Sequence, residues 1–260
     1  MEYKGKTAVI TGASSGIGLD YAREFAKRGS NLVLVARRED LLKQAASELT
    51  KDFGVRVDTI ALDLSTIDAG QKLMDALGKL GVETHILVNN AGFGTSGRLA
   101  DERRERIQQE VVLNVATLVD LTAATLPSLL AKNSGAIVNI ASTAAFQPVP
   151  GMAVYAATKA FVLSFTSAAW GEIAGSKVRV LAVCPGATAT EFFEVAGAKP
   201  FGGLAPVSAV IDATFKALDA KKSRPAVIVG RQNALMAGFS KRLPAKAVIK
   251  AAGSMFLPKV

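Results

Sequence analysis

Ser142, Tyr155 and Lys159, in the stretch STAAFQPVPGMAVYAATK, are the residues of this chain whose types and spacing best suit chemistry. If the segment from Met152 onward is helical, Tyr155 and Lys159 stand at i and i+4 on one face. The ammonium would then favour the phenolate and lower the tyrosine pKa from its usual value of about 10. Such a phenol can trade a proton near neutral pH. Ser142 ends the apolar run GAIVNIAS, where its hydroxyl can hydrogen-bond a substrate oxygen beside the tyrosine. Taken singly, each of the three reads as a surface or capping residue; together they describe acid–base work at a carbonyl or alcohol.

A second set suggests what that chemistry is coupled to. The run KTAVITG is followed by TGASSGIG, in which Gly12 permits a sharp turn, and Ser14, Ser15, Gly16, Ile17 and Gly18 lead into a helical pattern. Small residues there let a pyrophosphate approach the N-terminus of the next helix. The spacing Gly-x-x-x-Gly-x-Gly departs from the Gly-x-Gly-x-x-Gly form of many dinucleotide sites. At the end of the second apolar run, LVLVARRED, Ala36 stands where a carboxylate would bind the ribose 2′-hydroxyl of NAD, and Arg37 and Arg38 follow. A guanidinium matches a 2′-phosphate through paired hydrogen bonds, so NADP(H) is the expected cofactor. The alternative is that the two arginines are solvated charges paired with Glu39 and Asp40.

These residues need a scaffold, and the pattern supplies one. Strand-type runs (KTAVITG, NLVLVAR, RVDTIAL, HILVNNAG, GAIVNIAS, VRVLAVCPG, AVIVG) alternate with helical segments near 17–28, 40–51, 69–80, 101–130, 152–173 and 207–220. Alternation implies parallel strands with crossover helices, and nearly continuous Val/Ile/Leu runs imply a sheet covered on both faces. The expected fold is α/β: a doubly wound parallel sheet of Rossmann type, with residues 1–230 forming one dinucleotide-binding and catalytic domain. The chain of 260 residues is half hydrophobic, enough for one large core. Its single cysteine, Cys184, excludes an internal disulfide framework. With one histidine, His85, a Cys/His zinc site is excluded too, and both residues read as structural. No uninterrupted apolar run reaches membrane-spanning length and the first residues do not read as a signal peptide, so a cytoplasmic location is expected.

The ordered motifs resemble the short-chain dehydrogenase/reductase family, in its single-domain branch, from about Lys6 to Gly230. They are TGASSGIG, Asp63 after the third strand, NNAG at 89–92, Asn114, Ser142, YAATK at 155–159 and PGATAT from Pro185. The resemblance implies hydride transfer between a nicotinamide and a small-molecule carbonyl or secondary alcohol. Tyr155 would be the general acid/base, Ser142 the polarising donor, and Lys159 both the tyrosine's activator and a ligand of the nicotinamide ribose. Asn114 would hold a water that relays protons to Lys159. Asp63 and Leu64 would contact adenine, Asn89 would brace the sheet, Asn90, Ala91 and Gly92 would border the cofactor, and Pro185, Gly186 and Thr188 would line the nicotinamide. It also implies a homodimer or homotetramer. A non-catalytic NADP(H)-binding sensor is the alternative function, although such a protein would tolerate loss of Tyr155.

Two segments lie beyond these motifs. EFFEVAGAKPFGG, where the family places a substrate lid, carries Phe192, Phe193 and Phe201 and suggests a lipophilic substrate such as a 3-oxoacyl compound or a steroid. From Lys216 onward ten basic residues face one acid, Asp219, so the whole net charge of +9 resides there. Residues 231–260 read as a basic extension of two short amphipathic helices, with Leu235, Met236, Phe239 and Leu243 in one stripe and Val248, Ile249, Ala252, Met255 and Phe256 in the other. Lys241, Arg242, Lys246 and Lys250 intersperse them. Either packing on the body or a partner, or contact with an anionic membrane surface, would suit this composition. Nucleic acid is not expected, because the tail offers no base-reading element or stacking platform outside the apolar stripes.

Overall fold

The structure, a computed structural model, describes residues 1–200, 202–240 and 243–257. Phe201, Lys241, Arg242 and the side chains of Met255 and Phe256, singled out above, lie outside the described residues.

The apolar runs form strands β1 (Thr7–Thr11), β2 (Asn31–Ala36), β3 (Val57–Ala61), β4 (Ile86–Asn89), β5 (Ala136–Ile140), β6 (Arg179–Cys184) and β7 (Ala226–Ile228). They make one sheet in the order β3-β2-β1-β4-β5-β6-β7, parallel throughout. Parallel neighbours need long crossovers. These are α1 (Gly16–Lys27), α2 (Glu39–Phe53), α3 (Ala69–Lys79), α4 (Arg104–Val111) running on into α5 (Leu118–Ala131), α6 (Ala153–Glu172) and α8 (Val207–Leu218), with a short α7 (Phe192–Ala196) before the last of them. The chain leaves β1 toward β2 on one side and returns to β4 on the other. A crevice therefore opens at the C-terminal ends of β1 and β4, where open α/β sheets bind ligands.

Each face of the sheet carries its own core. On one, Leu32, Leu34, Ile86 and Val138 pack with Phe25 of α1 and Phe215 of α8, whose rings meet edge-on at 4.9 Å between centroids. Tyr3 and Tyr21 complete this aromatic group. On the other, Val9, Val33 and Leu87 pack with Leu73 of α3 and Leu121 and Leu129 of α5. His85 is structural as expected: its Nδ1 accepts from the Thr7 amide at 3.2 Å. Cys184 is buried.

The helical region read from the sequence as 101–130 is not uniform. A 3₁₀ turn at Leu99–Asp101 precedes α4, and a π-helical stretch, Val112–Thr117, joins α4 to α5. The extra residue per turn falls at Asn114, whose side chain is tied to the neighbouring loop, and wide turns of this kind frequently mark functional sites. The continuous run Arg104–Ala131 is long and apolar enough, by length and composition, to cross a membrane, yet here Leu118, Leu121 and Leu129 are buried in the core. The lid segment contains α7.

After β7 come α9 (Arg231–Ser240) and α10 (Ala245–Phe256), with Pro244 at the N-cap of the second. Their small residues make the contacts: Ala237 and Ala252 are buried, and Gly253 lies so close to Pro150 that an added Cβ would come within 3.3 Å of its ring. Leu235, Met236, Phe239 and Leu243 are exposed. The first apolar stripe thus does not pack on the body of the domain.

Phe25→Ala should cost roughly 3–5 kcal/mol of folding stability, because it empties the centre of the aromatic group. Urea denaturation followed by circular dichroism measures this, and a loss below about 1 kcal/mol would show that the group collapses to fill the space.

Candidate active site

Ser142 lies two residues beyond β5, in extended conformation, and caps the 3₁₀ turn Thr143–Phe146 by accepting the Ala144 amide at 3.1 Å. α6 begins after the loop 147–152, which puts Tyr155 in its first turn and Lys159 one turn later. The Ser142 hydroxyl lies near enough to the Tyr155 phenol to pull its pKa downward. Lys159 is buried and donates from Nζ to the Ile140 carbonyl at 2.7 Å, tying α6 to the end of β5.

One sequence expectation is corrected here. The i, i+4 spacing does put Tyr155 and Lys159 on one face, but Nζ reaches past the ring to Ile140 and lies 5.7 Å from the ring centroid. The tyrosine pKa is consequently not lowered. Burial pushes the phenol up to about 12, against a downward pull from Ser142 and with a further upward push from the Glu110 carboxylate. Burial pulls Lys159 down to about 8, opposed by the field of Glu110.

Asn114 sits beneath this pair. Its Oδ1 accepts from the Phe93 amide at 3.2 Å, and its Nδ2 donates to the Phe93 carbonyl at 2.8 Å and to Thr158 Oγ1 at 3.1 Å. The side chain therefore braces the loop after β4 against α6. Gly92 fits between them: an added Cβ would lie 2.9 Å from Asn114 Oδ1 and 3.5 Å from Lys159 Nζ. Gly94 is constrained likewise, with Tyr155 and Phe192 at 3.0 and 3.1 Å from an added Cβ.

Glu110, one turn before Asn114 on α4, is fully buried. Its Oε2 accepts from Thr95 Oγ1 at 2.7 Å and its Oε1 has no partner among the described residues. Burial raises this carboxyl to about 7, while the Thr95 bond and the charges of Lys159 and Arg106 pull it down. Sequence reading missed Glu110 and Gly94. The available signal was their place in the motifs, a lone acid four residues before Asn114 and a glycine just after NNAG.

At the other end of the crevice, Thr11 organises the approach. Its Oγ1 donates to the Val88 carbonyl and accepts from the amides of Asn90 and Ala91, both at 3.0 Å. Asn90 Nδ2 donates to the carbonyls of Thr11 and Gly12, so this residue fastens the glycine turn. Gly12 and Gly16 adopt left-handed φ values, and an added Cβ at Gly18 would fall 2.2 Å from the Gly12 carbonyl oxygen. Ile17 packs against the core at the head of α1. Asn89 is a brace, as expected: its Nδ2 donates to Asn139 and Thr122.

The two arginines separate. Arg38 reaches back over the glycine turn, with Nη2 2.8 Å from Ser15 Oγ and 3.2 Å from Ser14 Oγ. Arg37 is exposed, its charge felt by Asp63. Neither pairs with Glu39, which is engaged by Lys43. Asp63 is exposed, and its Oδ1 accepts from the Ser65 amide and hydroxyl. The Leu64 side chain is buried among the core residues, so its backbone is what remains for a ligand. Its carbonyl accepts from Thr117.

Pro185, Gly186 and Thr188 border the crevice from beyond β6. The Pro185 carbonyl accepts from the Thr143 amide, and Thr188 Oγ1 donates to the Gly186 carbonyl. Asn233 of α9 presses on Gly186, where an added Cβ would be 2.5 Å from Nδ2. Farther along, Glu191 spans the crevice: its Oε2 accepts from Arg38 Nη2 at 3.0 Å and from Ser15 Oγ at 3.1 Å. Phe192 follows, its ring 4.9 Å from that of Tyr155, with Phe193 edge-on to it at 5.4 Å.

The residues present suit a dinucleotide. Gly12, Gly16 and Gly18 keep the head of α1 open for a pyrophosphate. Arg38 with Ser14 and Ser15 forms an anion-binding donor set on which a carboxylate already rests. Among the described residues there is no cluster of groups that could hold a metal ion.

Comparison with known proteins gives the same direction. The family model for short chain dehydrogenase matches residues 6–200. Over 195 residues the chain is 34% identical to the very-long-chain 3-oxoacyl-CoA reductase of Bos taurus, covering 74% of this chain and 62% of that protein. A short-chain dehydrogenase from Sphingobium yanoikuyae in complex with NADPH superposes with a TM-score of 0.80 at 36% identity, covering 91% of this chain and 94% of that one. A short-chain dehydrogenase/reductase from Burkholderia phymatum in complex with NAD superposes with a TM-score of 0.82 at 27% identity, covering 93% and 95%.

Glu110 generates a pH prediction. Its folded pKa of about 7 exceeds the ordinary 4.5, so the stability it contributes is full below 4.5 and is lost as pH rises through 7. The loss should amount to at most roughly 3 kcal/mol. Glu110→Gln should flatten this stretch of a stability–pH curve measured by urea denaturation. An unchanged slope would assign the dependence to another group.

Proposed function

Because the chain belongs to the short-chain dehydrogenase/reductase family, we propose that it is an NADP(H)-preferring oxidoreductase acting in the direction of carbonyl reduction on a lipophilic ketone or 3-oxoacyl compound. The observation that carries the chemistry is the placing of Tyr155 under the influence of the Ser142 hydroxyl, one turn before the buried Lys159 that is fixed on Ile140. Bound NADPH would supply the hydride. Tyr155 gives the proton that the developing alkoxide needs, and a phenol with pKa near 12 is protonated at neutral pH, as that direction requires. Ser142 donates a second hydrogen bond to the same oxygen. Lys159, buried and fixed by Ile140, supplies positive charge beneath the tyrosine and a donor toward the cofactor ribose. Asn114 keeps the loop 92–94 against α6, and so keeps the floor of the site in place.

Cofactor preference rests on Arg38, Ser14 and Ser15, whose donors match a 2′-phosphate, and on Ala36, which leaves no carboxylate at the end of β2. The lipophilic substrate rests on Phe192 beside Tyr155, with Phe193 edge-on to Phe192. The 3-oxoacyl class is supported by the cattle relative, of which this chain spans 62%. The exposed Leu235, Met236 and Phe239 within the basic region suit peripheral contact with an anionic membrane or with another subunit of a homodimer or homotetramer in the cytoplasm.

An NADPH-oxidation screen over ketones, 3-oxoacyl thioesters and steroids should yield turnover in at least one lipophilic class. On that substrate, Tyr155→Phe should remove nearly all turnover while leaving NADPH affinity within about twofold, since only the proton-transfer hydroxyl is lost. Lys159→Met should lower both turnover and NADPH affinity. A Tyr155→Phe variant that keeps most of its activity would refute the acid role.

A further inference from the structure

The cofactor subsite at Arg38 already holds an anion from the chain itself. Glu191 Oε2 accepts from Arg38 Nη2 and Ser15 Oγ, while Arg38 Nη1 lies 3.4 Å from Glu191 Oε1. Arg38 and Ser15, together with Ser14, are the donors that the proposed 2′-phosphate would use. A guanidinium edge and one serine hydroxyl cannot serve a carboxylate and a phosphate at once, and two anions on one guanidinium repel. Glu191 also adjoins Phe192, whose ring covers Tyr155, so the same residue connects the anion subsite to the lid. The carboxyl is held below its ordinary pKa first of all by Arg38, which keeps it ionised across the neutral range.

We propose that Glu191 is a specificity-determining residue that competes, as an internal carboxylate, with the 2′-phosphate for Arg38 and Ser15, lowering NADPH affinity selectively and coupling cofactor arrival to release of the Phe192 segment. Specificity is a difference of affinities, and a repulsive group set against one ligand narrows it. NADH brings no phosphate to Arg38 and leaves the Arg38–Glu191 pair intact. NADPH must displace it. Glu191 thus tempers the discrimination that Arg38 provides, and the segment carrying Phe192 loses one of its tethers only when the phosphorylated cofactor binds. The inference rests on the reading of Arg38 as the 2′-phosphate ligand.

Titration calorimetry with 2′-AMP, NADPH and NADH on the full chain separates the two. Glu191→Gln should bind 2′-AMP and NADPH about two- to fivefold more tightly, the range set by an exposed ion pair, with NADH changed less than twofold. Arg38→Gln should weaken NADPH and 2′-AMP, and adding Glu191→Gln to it should bring no further change. If Arg38→Gln weakens NADPH but Glu191→Gln does not tighten it, the competition is overturned while the subsite reading stands. If Arg38→Gln leaves NADPH binding unchanged, the subsite reading itself fails. A gain shared equally by NADH would show general relief of negative charge near the crevice, and would also overturn the competition.

Discussion

The site depends on one buried ammonium. Lys159 is taken out of water in the middle of a sheet–helix junction, and an unpaired charge there would cost several kcal/mol. The Ile140 carbonyl at the end of β5 offsets part of this, and the field of Glu110 from α4 offsets more. Two elements thus become mutually fixed, β5 through its last carbonyl and α6 through the lysine, while the carboxyl of α4 acts on the same ammonium only through its field. Ser142, two residues past that carbonyl, and Tyr155, one turn before that lysine, inherit their positions from the same bond. Ser142 is thereby set at the cap of a 3₁₀ turn and Tyr155 in the first turn of α6, on the two elements that the lysine joins.

The opposite end of the crevice is organised by close approach rather than charge. Thr11 gathers the amides of Asn90 and Ala91, Asn90 holds the carbonyls of Thr11 and Gly12, and Gly18 sits where no side chain could. The result joins the C-terminal ends of β1 and β4, the two strands at which the direction of winding reverses. Donors for an anion then come from Ser14, Ser15 and Arg38, which project from the turn and from the end of β2. The two ends of the crevice meet through the loop 91–95, which carries Gly92 against Lys159 and Gly94 against Tyr155.

Much of this was legible in the sequence, for reasons specific to each element. Strands buried on both faces leave continuous Val/Ile/Leu runs, and the seven runs are the seven strands. Glycines whose Cβ would collide with backbone, such as Gly18, are visible because no other residue fits. What local patterning could not carry was direction. The i, i+4 rule put Tyr155 and Lys159 on one face but not the ammonium on Ile140, because a long side chain chooses its partner from the fold. Arg37 and Arg38 were adjacent letters with one expected role, and the turn into α2 sends them different ways. Glu110 and Glu191 acquire significance only through residues 15 to 153 positions away, Thr95 for the first and Arg38 for the second.

The C-terminal helices show the same division between what touches and what is presented. Their contacts with the body are made by small residues, Ala237, Ala252 and Gly253, and by Asn233, which reaches back to the Val229 carbonyl. Gly253 meets Pro150 and Asn233 meets Gly186, within the segments that lead into α6 and away from β6, so the extension touches both walls of the crevice. The large apolar residues of α9 point outward, in the part of the chain that carries all of the net positive charge. An extension that only filled a gap in the core would bury Leu235 and Phe239 first, since each buried CH₂ contributes about 0.8 kcal/mol. Exposing them while burying alanines leaves the outer face available for a second surface, and the inner face sets how firmly the loops around Pro150 and Gly186 are held.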